Sequence, residues 1–171
     1  GGRRSVCTSL WLAFRDDLAD LQSNDPVARE STRLMCAAGW LPQTSLDPLQ
    51  MKEWIPNSRY GGHAFGFKGD AGKGISEFGN FLAGRESVKQ WIDAYSPYAL
   101  VTADDPPVYL YYYTPPAMGQ EEKDPPHSSN FGVKLQEKCR QLGMECELVY
   151  PGAPDVQHPQ LTGFFIKKLG N

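Results

Sequence analysis

Residues 107–114, PVYLYYYT, constrain the fold of this 171-residue chain more than any other stretch. The run is unbroken β-former sequence, and continuous rather than alternating hydrophobicity predicts a strand buried on both faces, as in a parallel sheet. Residues 128–143 have helical periodicity with Gly143 as a stop signal, and residues 145–150, ECELVY, predict the next strand. A last helix follows Pro159. This strand-helix-strand-helix order predicts an α/β fold, with parallel strands joined by crossover helices.

The upstream part of the chain gives weaker signals. Residues 36–41 predict one short buried strand, and helices are predicted at residues 8–19, 25–35, 47–54 and 84–95. Two of these helices begin at an Asp-Pro pair, where Asp caps the helix and Pro occupies its first turn. Residues 56–80 are glycine-rich and predict a loop. Two strong strands and one weak strand would leave exposed sheet edges, so we expect additional strands or a second copy to pair with them.

Charge and motif content exclude several classes of function. The net charge of −3 does not predict a nucleic-acid-binding surface, and no apolar run is long enough to span a bilayer. The GDAGKG segment at residues 69–74 lacks the Ser or Thr and the spacing of a phosphate-binding loop. The three histidines are scattered and the four cysteines contain no C-x-x-C pair, so neither a metal nor another cofactor is predicted. Whether any cysteines form a disulfide stays open.

The order and spacing of the C-terminal segments resemble those of a known family. SPYALVTADDPPVYLYYYTPP, followed by a capped helix and LGMECELVYPGAPDVQHPQ, is similar to the C-terminal half of an α/β-hydrolase, in the esterase and lipase-like group that includes carboxylesterases and feruloyl-esterase-like enzymes. The resemblance implies that residues 1–171 are the C-terminal portion of one hydrolase domain whose N-terminal strands are missing. Residues 40–83 fall where that family carries a variable, cap-like segment. The implied activity is serine-dependent hydrolysis of a small carboxylic ester.

The opening residues GGRRS lie where the resemblance places the nucleophile. That family carries a G-x-S-x-G turn, whose small residues permit a sharp strand-to-helix bend. Here Arg3 occupies the serine position, Arg4 the next small position and Ser5 the last glycine position. Three interpretations are open: a catalytically dead homologue, a shifted register with Ser5 as nucleophile, or a reading-frame error that converts Ser-Ala codons into Arg-Arg.

The same resemblance supplies the other catalytic candidates. His158 follows the last predicted strand, at the position of the family's catalytic histidine. The family's acid position, just after Thr114, holds no carboxylate, and among the nearby acidic residues Asp124 is the best candidate because Asp-Pro-Pro forms a defined turn. Asp155 is expected to shape the turn before His158. His63 and His127 are interpreted as loop and helix-entry residues.

Two functions from different classes follow. The first is a serine hydrolase of carboxylic esters, inactive or impaired as written because its nucleophile motif is not intact. The second is a degenerate, non-catalytic homologue that acts as a binding or interaction module, or a partial gene product. A serine directly after Gly2 would favour the first and a genuine Arg3-Arg4 the second. Exposed sheet edges predict self-association in either case.

Overall fold

The computed structural model describes residues 6–170, and it shows an α/β fold built on one open parallel sheet. The strands are β1 (Ala37–Trp40), β2 (Val108–Tyr111) and β3 (Cys146–Val149), in spatial order β1-β2-β3. Both pairings are parallel, and the register aligns Ala38 with Tyr109 and Tyr109 with Glu147. The three strands predicted from the sequence are therefore confirmed, including the weak one.

Seven α-helices accompany the sheet in the described part of the chain. They are α1 (Val6–Ala13), α2 (Pro48–Trp54), α3 (Glu77–Ala83), α4 (Lys89–Tyr95), α5 (Pro97–Leu100), α6 (Asn130–Leu142) and α7 (Leu161–Leu169). Short 3₁₀ turns occur at Val27–Arg29, Gly62–Phe65, Ala71–Lys73, Arg85–Val88 and Pro125–His127. Within residues 6–170, no helix has the length and apolar character needed to cross a bilayer.

The strands are short, and the two faces of the sheet carry different cores. On one face Val108, Leu110 and Leu148 pack with Leu135 of α6, all of them buried. On the other face Tyr109 and Val149 pack against the fully buried Phe164 of α7. The central strand β2 is thus covered on both sides, which confirms the prediction made from its continuous hydrophobicity.

Capping residues explain where helix α2 begins and where helix α6 ends. The Asp47 side chain accepts a hydrogen bond from the amide of Leu49 at 3.0 Å, which caps α2. Gly143 adopts a left-handed conformation with φ 73°, and the amide of Met144 bonds back to the carbonyl of Cys139 at 2.9 Å. This arrangement ends α6 and turns the chain directly into β3.

Two helix predictions were wrong, and both failures have a physical cause. Helix α1 ends at Ala13 rather than Ala19, because the Asp17 carboxylate instead ties this segment to the backbone amide of Thr32 at 2.9 Å. Residues 25–35 form only a 3₁₀ turn. The Asp25 cap exists, with its carboxylate 2.9 Å from the Val27 amide, but Val27 is exposed and has no core to pack against.

Candidate active site

A cavity of about 660 Å³ opens just beyond the C-terminal end of β1. Residues 41–43, which follow β1, form one wall, and Cys7 near the start of α1 forms another. Apart from Leu46, the remaining lining comes from the glycine-rich segment and from the loop after β2, and includes Tyr60, Gly61, His63, Pro126 and His127. Ligands of open α/β sheets bind at the carboxyl ends of the strands, so the location suits a substrate pocket.

Of the described residues that line the cavity, the histidines are His63 and His127, and each has a carboxylate partner. His127 Nδ1 lies 2.8 Å from an oxygen of Asp124. His63 Nδ1 lies 3.3 Å from Glu77, whose carboxylate also accepts the His63 amide at 2.7 Å. The His127 side chain is about one-quarter exposed (26%), whereas that of His63 is nearly half exposed (46%).

The loop that carries Asp124 and His127 is fixed by buried polar contacts. The Asn57 amide group bonds the backbone of Glu122 in both directions, at 2.8 and 3.0 Å. Asn130, fully buried at the start of α6, accepts from the amide of Ala117 at 2.8 Å and donates to the carbonyl of Trp54 at 2.8 Å. These bonds hold an otherwise irregular loop against the core, because a buried amide needs its partners.

His158 forms a second and more buried pair, with Glu147 of β3. His158 Nδ1 lies 2.6 Å from one oxygen of the Glu147 carboxylate, and the other oxygen accepts the His158 amide at 2.5 Å. The Tyr109 hydroxyl donates to the His158 carbonyl at 3.1 Å. The Phe164 ring lies edge-on to the imidazole, with the ring centroids 5.9 Å apart. Backbone and ring are thus both fixed on the face of the sheet that α7 covers.

This geometry sets the protonation pattern of a neutral His158. A carboxylate only accepts hydrogen bonds, so Nδ1 carries the proton and Nε2 presents its lone pair. A carboxylate on Nδ1 orients a catalytic histidine and stabilises the imidazolium formed when Nε2 takes a proton. Chemically, the His158–Glu147 pair can therefore act as a general base.

The structure does not bring together all the residues that the sequence singled out. Asp124 bonds to His127, while His158 bonds to Glu147. Ser5, Arg3 and Arg4 lie outside the described residues. Asp155 has a positive φ of 56° in the turn before His158, as a turn-forming residue would.

Glu147 was missed because it lies within a strand sequence. The run ECELVY holds two carboxylates, and the sequence does not show that Glu145 is exposed while Glu147 is buried, where a Glu in a strand requires a partner. The contact of His127 with Asp124 did have a signal, since the two residues are three positions apart across a Pro-Pro turn.

Cys7, which lines the cavity, is not suited to be a nucleophile. Burial raises the pKa of its thiol to about 11. Because the thiolate is the reactive form, Cys7 is protonated at neutral pH. Among the described residues, no group of three His, Cys, Asp or Glu side chains is arranged to hold a metal ion.

Comparison with known proteins finds similarity at the level of the fold. No family model matches the chain, and no curated protein matches it. Two solved structures match the chain in fold. One is an acetyl ester-xyloside bifunctional hydrolase from Caldicellulosiruptor lactoaceticus, with a TM-score of 0.55 and 16% identity. The other is a truncated carbohydrate esterase from gut microbiota, with a TM-score of 0.55 and 15% identity. The alignments cover 95% and 96% of this chain but only 52% and 56% of those chains. The chain thus spans about half the length of each.

Proposed function

We propose that this chain is the C-terminal half of an α/β-hydrolase domain that hydrolyses small carboxylic esters, with residues 40–83 as its cap-like segment. The parallel sheet, with α6 on one face and α7 on the other, supports this proposal. So does the fold similarity to an acetyl ester-xyloside hydrolase and a carbohydrate esterase. The cap-like segment contributes Tyr60, Gly61 and His63 to the cavity, as a segment that shapes a substrate pocket would.

The observation that carries the proposal is the pairing of His158 with Glu147. His158, in the loop between β3 and α7, has its Nδ1 hydrogen fixed on the buried Glu147 carboxylate, at 2.6 Å. In the proposed reaction a serine of the opening segment, Ser5 as the sequence stands or a serine at position 3 if the small-residue turn is restored, attacks the ester carbonyl and His158 Nε2 takes the serine proton. Protonated His158 then donates to the leaving alcohol, and a water activated in the same way releases the acid.

Two carboxylates are proposed for the role of orienting the base. Asp124 has the better position in the sequence, and Glu147 has the direct contact with His158. Asp124 instead bonds His127 at the cavity. Substitution separates these assignments, because Glu147→Gln removes the negative charge beside His158 and His127→Gln removes the imidazole that Asp124 contacts.

The test is covalent labelling with a fluorophosphonate, followed by hydrolysis of p-nitrophenyl acetate. The chain is compared with a variant in which Arg3→Ser, Arg4→Ala and Ser5→Gly together restore the small-residue turn. We expect the restored variant to be labelled at position 3 and to hydrolyse the ester, and the parent chain to be labelled weakly at Ser5 or not at all. Absence of labelling in both forms, when both are folded by circular dichroism, would count against the hydrolase proposal.

The roles of the individual residues are read in the restored variant. Loss of the base in His158→Gln should lower kcat/KM by roughly 10²–10⁴-fold, whereas His63→Gln, whose side chain is half exposed, should change it little. If Glu147→Gln lowers the rate and Asp124→Asn does not, Glu147 orients His158. The opposite result assigns that role to Asp124. If His127→Gln is as damaging as Asp124→Asn, then Asp124 acts through His127.

If the opening GGRRS segment is a degenerate form of the nucleophile turn, we propose a second function in place of catalysis. That function is self-association through an unpaired edge of the sheet. Within residues 6–170, β1 and β3 each pair with one strand and leave the other edge unpaired. Beside the β1 edge, Trp40 stacks on Tyr111 with ring centroids 4.3 Å apart, and its indole N–H donates to the Tyr113 hydroxyl at 2.9 Å. Trp40 and Tyr113 are exposed, so an aromatic surface flanks an open edge.

A further inference from the structure

The 660 Å³ cavity contains a histidine–carboxylate pair of its own, apart from the pair that His158 forms with Glu147. His127 lines the cavity, and its Nδ1 lies 2.8 Å from an oxygen of Asp124. His158 and Glu147 are not among the described residues that line it. A small molecule that enters this cavity therefore meets the imidazole of His127 and not that of His158.

The turn between Asp124 and His127 holds the pair in place. Two prolines occupy its middle positions, where their rings fix the backbone φ angles, and the first of them, Pro125, is buried. The His127 amide donates to the Asp124 carbonyl at 3.0 Å. The next residue, Ser128, is buried and donates its hydroxyl to the carboxylate of Glu122 at 3.0 Å. The imidazole is thus presented to the cavity in a defined orientation.

The contact with Asp124 leaves the other ring nitrogen of His127 available to take a proton. A carboxylate only accepts hydrogen bonds, so a neutral His127 carries its proton on Nδ1 and has a lone pair on Nε2. Among residues 6–170, no group bonds to this Nε2. The side chain is partly exposed and lines an open cavity, so water can reach it. These are the properties of a general base.

His63 lines the same cavity but is less suited to this role. Its Nδ1 lies 3.3 Å from an oxygen of Glu77, and the same oxygen accepts the His63 amide at 2.7 Å. His127 has the shorter contact, to an oxygen that accepts no other hydrogen bond from residues 6–170. Asp124 therefore orients His127 more firmly than Glu77 orients His63.

We propose that His127 is the general base of a serine-independent ester hydrolysis, with Asp124 as its positioning residue and water as the nucleophile. Nε2 takes a proton from a water molecule as the water oxygen bonds to the carbonyl carbon of the ester. The bond between that carbon and the alcohol oxygen then breaks, and the imidazolium returns the proton to the departing oxygen. One ester and one water become one acid and one alcohol, with no covalent enzyme intermediate.

The reaction chemistry selects the class of substrate. A water activated by a single histidine attacks most readily those esters whose alcohol leaves as a weak base, such as small esters of phenols. Tyr60 and Pro126 give the cavity two ring-bearing walls, which suit the flat apolar ring of a phenol. Neither Ser5 nor His158 takes part, so this activity is independent of the serine-dependent hydrolysis.

The experiment measures hydrolysis of phenyl acetate by the unmodified full chain and its variants, all checked for folding by circular dichroism. We expect saturation with substrate, a slower rate in heavy water, and a kcat/KM above the second-order rate constant of free imidazole. His127→Gln should lower kcat/KM by roughly 10²-fold. Asp124→Asn should lower kcat with little change in KM, whereas a loosened cavity wall would raise KM. Glu121→Gln removes an exposed carboxylate of the same loop and is the matched control, with an unchanged rate.

Several results would overturn the proposal. Hydrolysis no faster than that by free imidazole, or a rate unchanged in His127→Gln, removes the base. Loss of activity after treatment with a fluorophosphonate places the reaction on a serine. A loss in His158→Gln in place of His127→Gln assigns the reaction to the other histidine–carboxylate pair. An acetyl group found on His127 by mass spectrometry, together with no effect of heavy water, makes the imidazole a nucleophile rather than a base.

Discussion

The role of a buried residue in this molecule depends on the groups that it contacts. The sequence does not show these contacts directly. His158 could be singled out from its place after the last strand, but it is not among the described residues that line the 660 Å³ cavity, and its role as the base stays a prediction. Its partner Glu147 could not be singled out, because a strand sequence does not say which face of the sheet each residue occupies until the register is known. The register with Tyr109 puts Glu147 on the face that α7 covers, where His158 begins the approach to that helix.

Asp47 is a second residue whose role depends on a distant partner, Arg85. Both Asp47 oxygens accept from the Arg85 guanidinium, at 2.6 and 2.7 Å. Burial alone would raise the pKa of Asp47, but the hydrogen bonds from Arg85 and from the Leu49 amide outweigh it, and the net pKa is lowered. The Asp-Pro pair predicted the cap of α2, whereas nothing in the local sequence pointed to residue 85.

Asp47→Asn tests this ion pair, because Asn keeps the helix cap but lacks the charge. At pH 7 we expect a loss of about 1–2 kcal/mol in the free energy of unfolding, measured by urea denaturation. A carboxyl whose pKa is lowered by folding stabilises above its unfolded pKa, near 4. The difference between wild type and variant should therefore shrink as the pH falls from about 5 to about 3.

Asp93→Asn is the matched control for this prediction. Asp93 pairs with Lys89 on the exposed side of α4, with its side chain half exposed. A surface pair of this kind contributes less than about 0.5 kcal/mol. Equal losses in the two variants, or a difference for Asp47→Asn that does not depend on pH, would contradict the assignment of stability to the buried pair.

Among the helices and strands, the predictions from the sequence were correct where the spacing of apolar residues coincides with their burial in the core. The strands and the helices α2, α6 and α7 were recognised because their apolar residues do enter the core. The expected helix at residues 25–35 had a good cap, but its apolar residues Val27, Leu34 and Met35 are exposed. Helical propensity without an apolar surface to bury does not sustain a helix of this length in water.

Helix packing supplies a prediction that separates two glycines. Gly132 of α6 lies against the sheet, and a Cβ at this position would be 2.4 Å from a ring carbon of Tyr112 and 2.6 Å from a methyl group of Leu148. Both neighbours are buried, so neither can move aside freely. We expect Gly132→Ala to lower the free energy of unfolding by about 1–3 kcal/mol, measured by urea denaturation.

Gly163 of α7 provides the control, because it is a helical glycine with room for a side chain. A Cβ there would lie 3.8 Å from its nearest neighbour, a ring carbon of His158. Gly163→Ala should stabilise the protein by about 0.5–1 kcal/mol through helix propensity alone. A destabilising Gly163→Ala, or a neutral Gly132→Ala, would show that the helices do not approach the sheet as described.

At the scale of the whole molecule, the sheet is narrow for the helices that it carries. Three strands were visible in the sequence, and the expectation of exposed edges followed from that number alone. The structure agrees, since within residues 6–170 β1 has a neighbour on one side only. The sequence did not predict the exposed aromatic group beside that edge: the tyrosines of residues 107–114 were interpreted as core, yet Tyr113 is exposed and Tyr111 is only partly buried. The strand ends at Tyr111, Tyr112 is still buried, and exposure begins at Tyr113.

Self-association through this edge predicts a specific effect of Trp40→Lys. A lysine at the end of an edge strand disfavours pairing with another chain, because its ammonium would have to lose its water. By light scattering, the wild-type chain should exceed the monomer mass increasingly with concentration, and Trp40→Lys should stay close to the monomer mass. Trp91→Lys is the matched control, because Trp91 is exposed to 50% and Trp40 to 46%, yet Trp91 belongs to helix α4 and not to a strand. If both substitutions reduce the mass equally, exposed tryptophan alone drives association. If the wild-type chain is monomeric at every concentration, the open edge does not recruit a second copy.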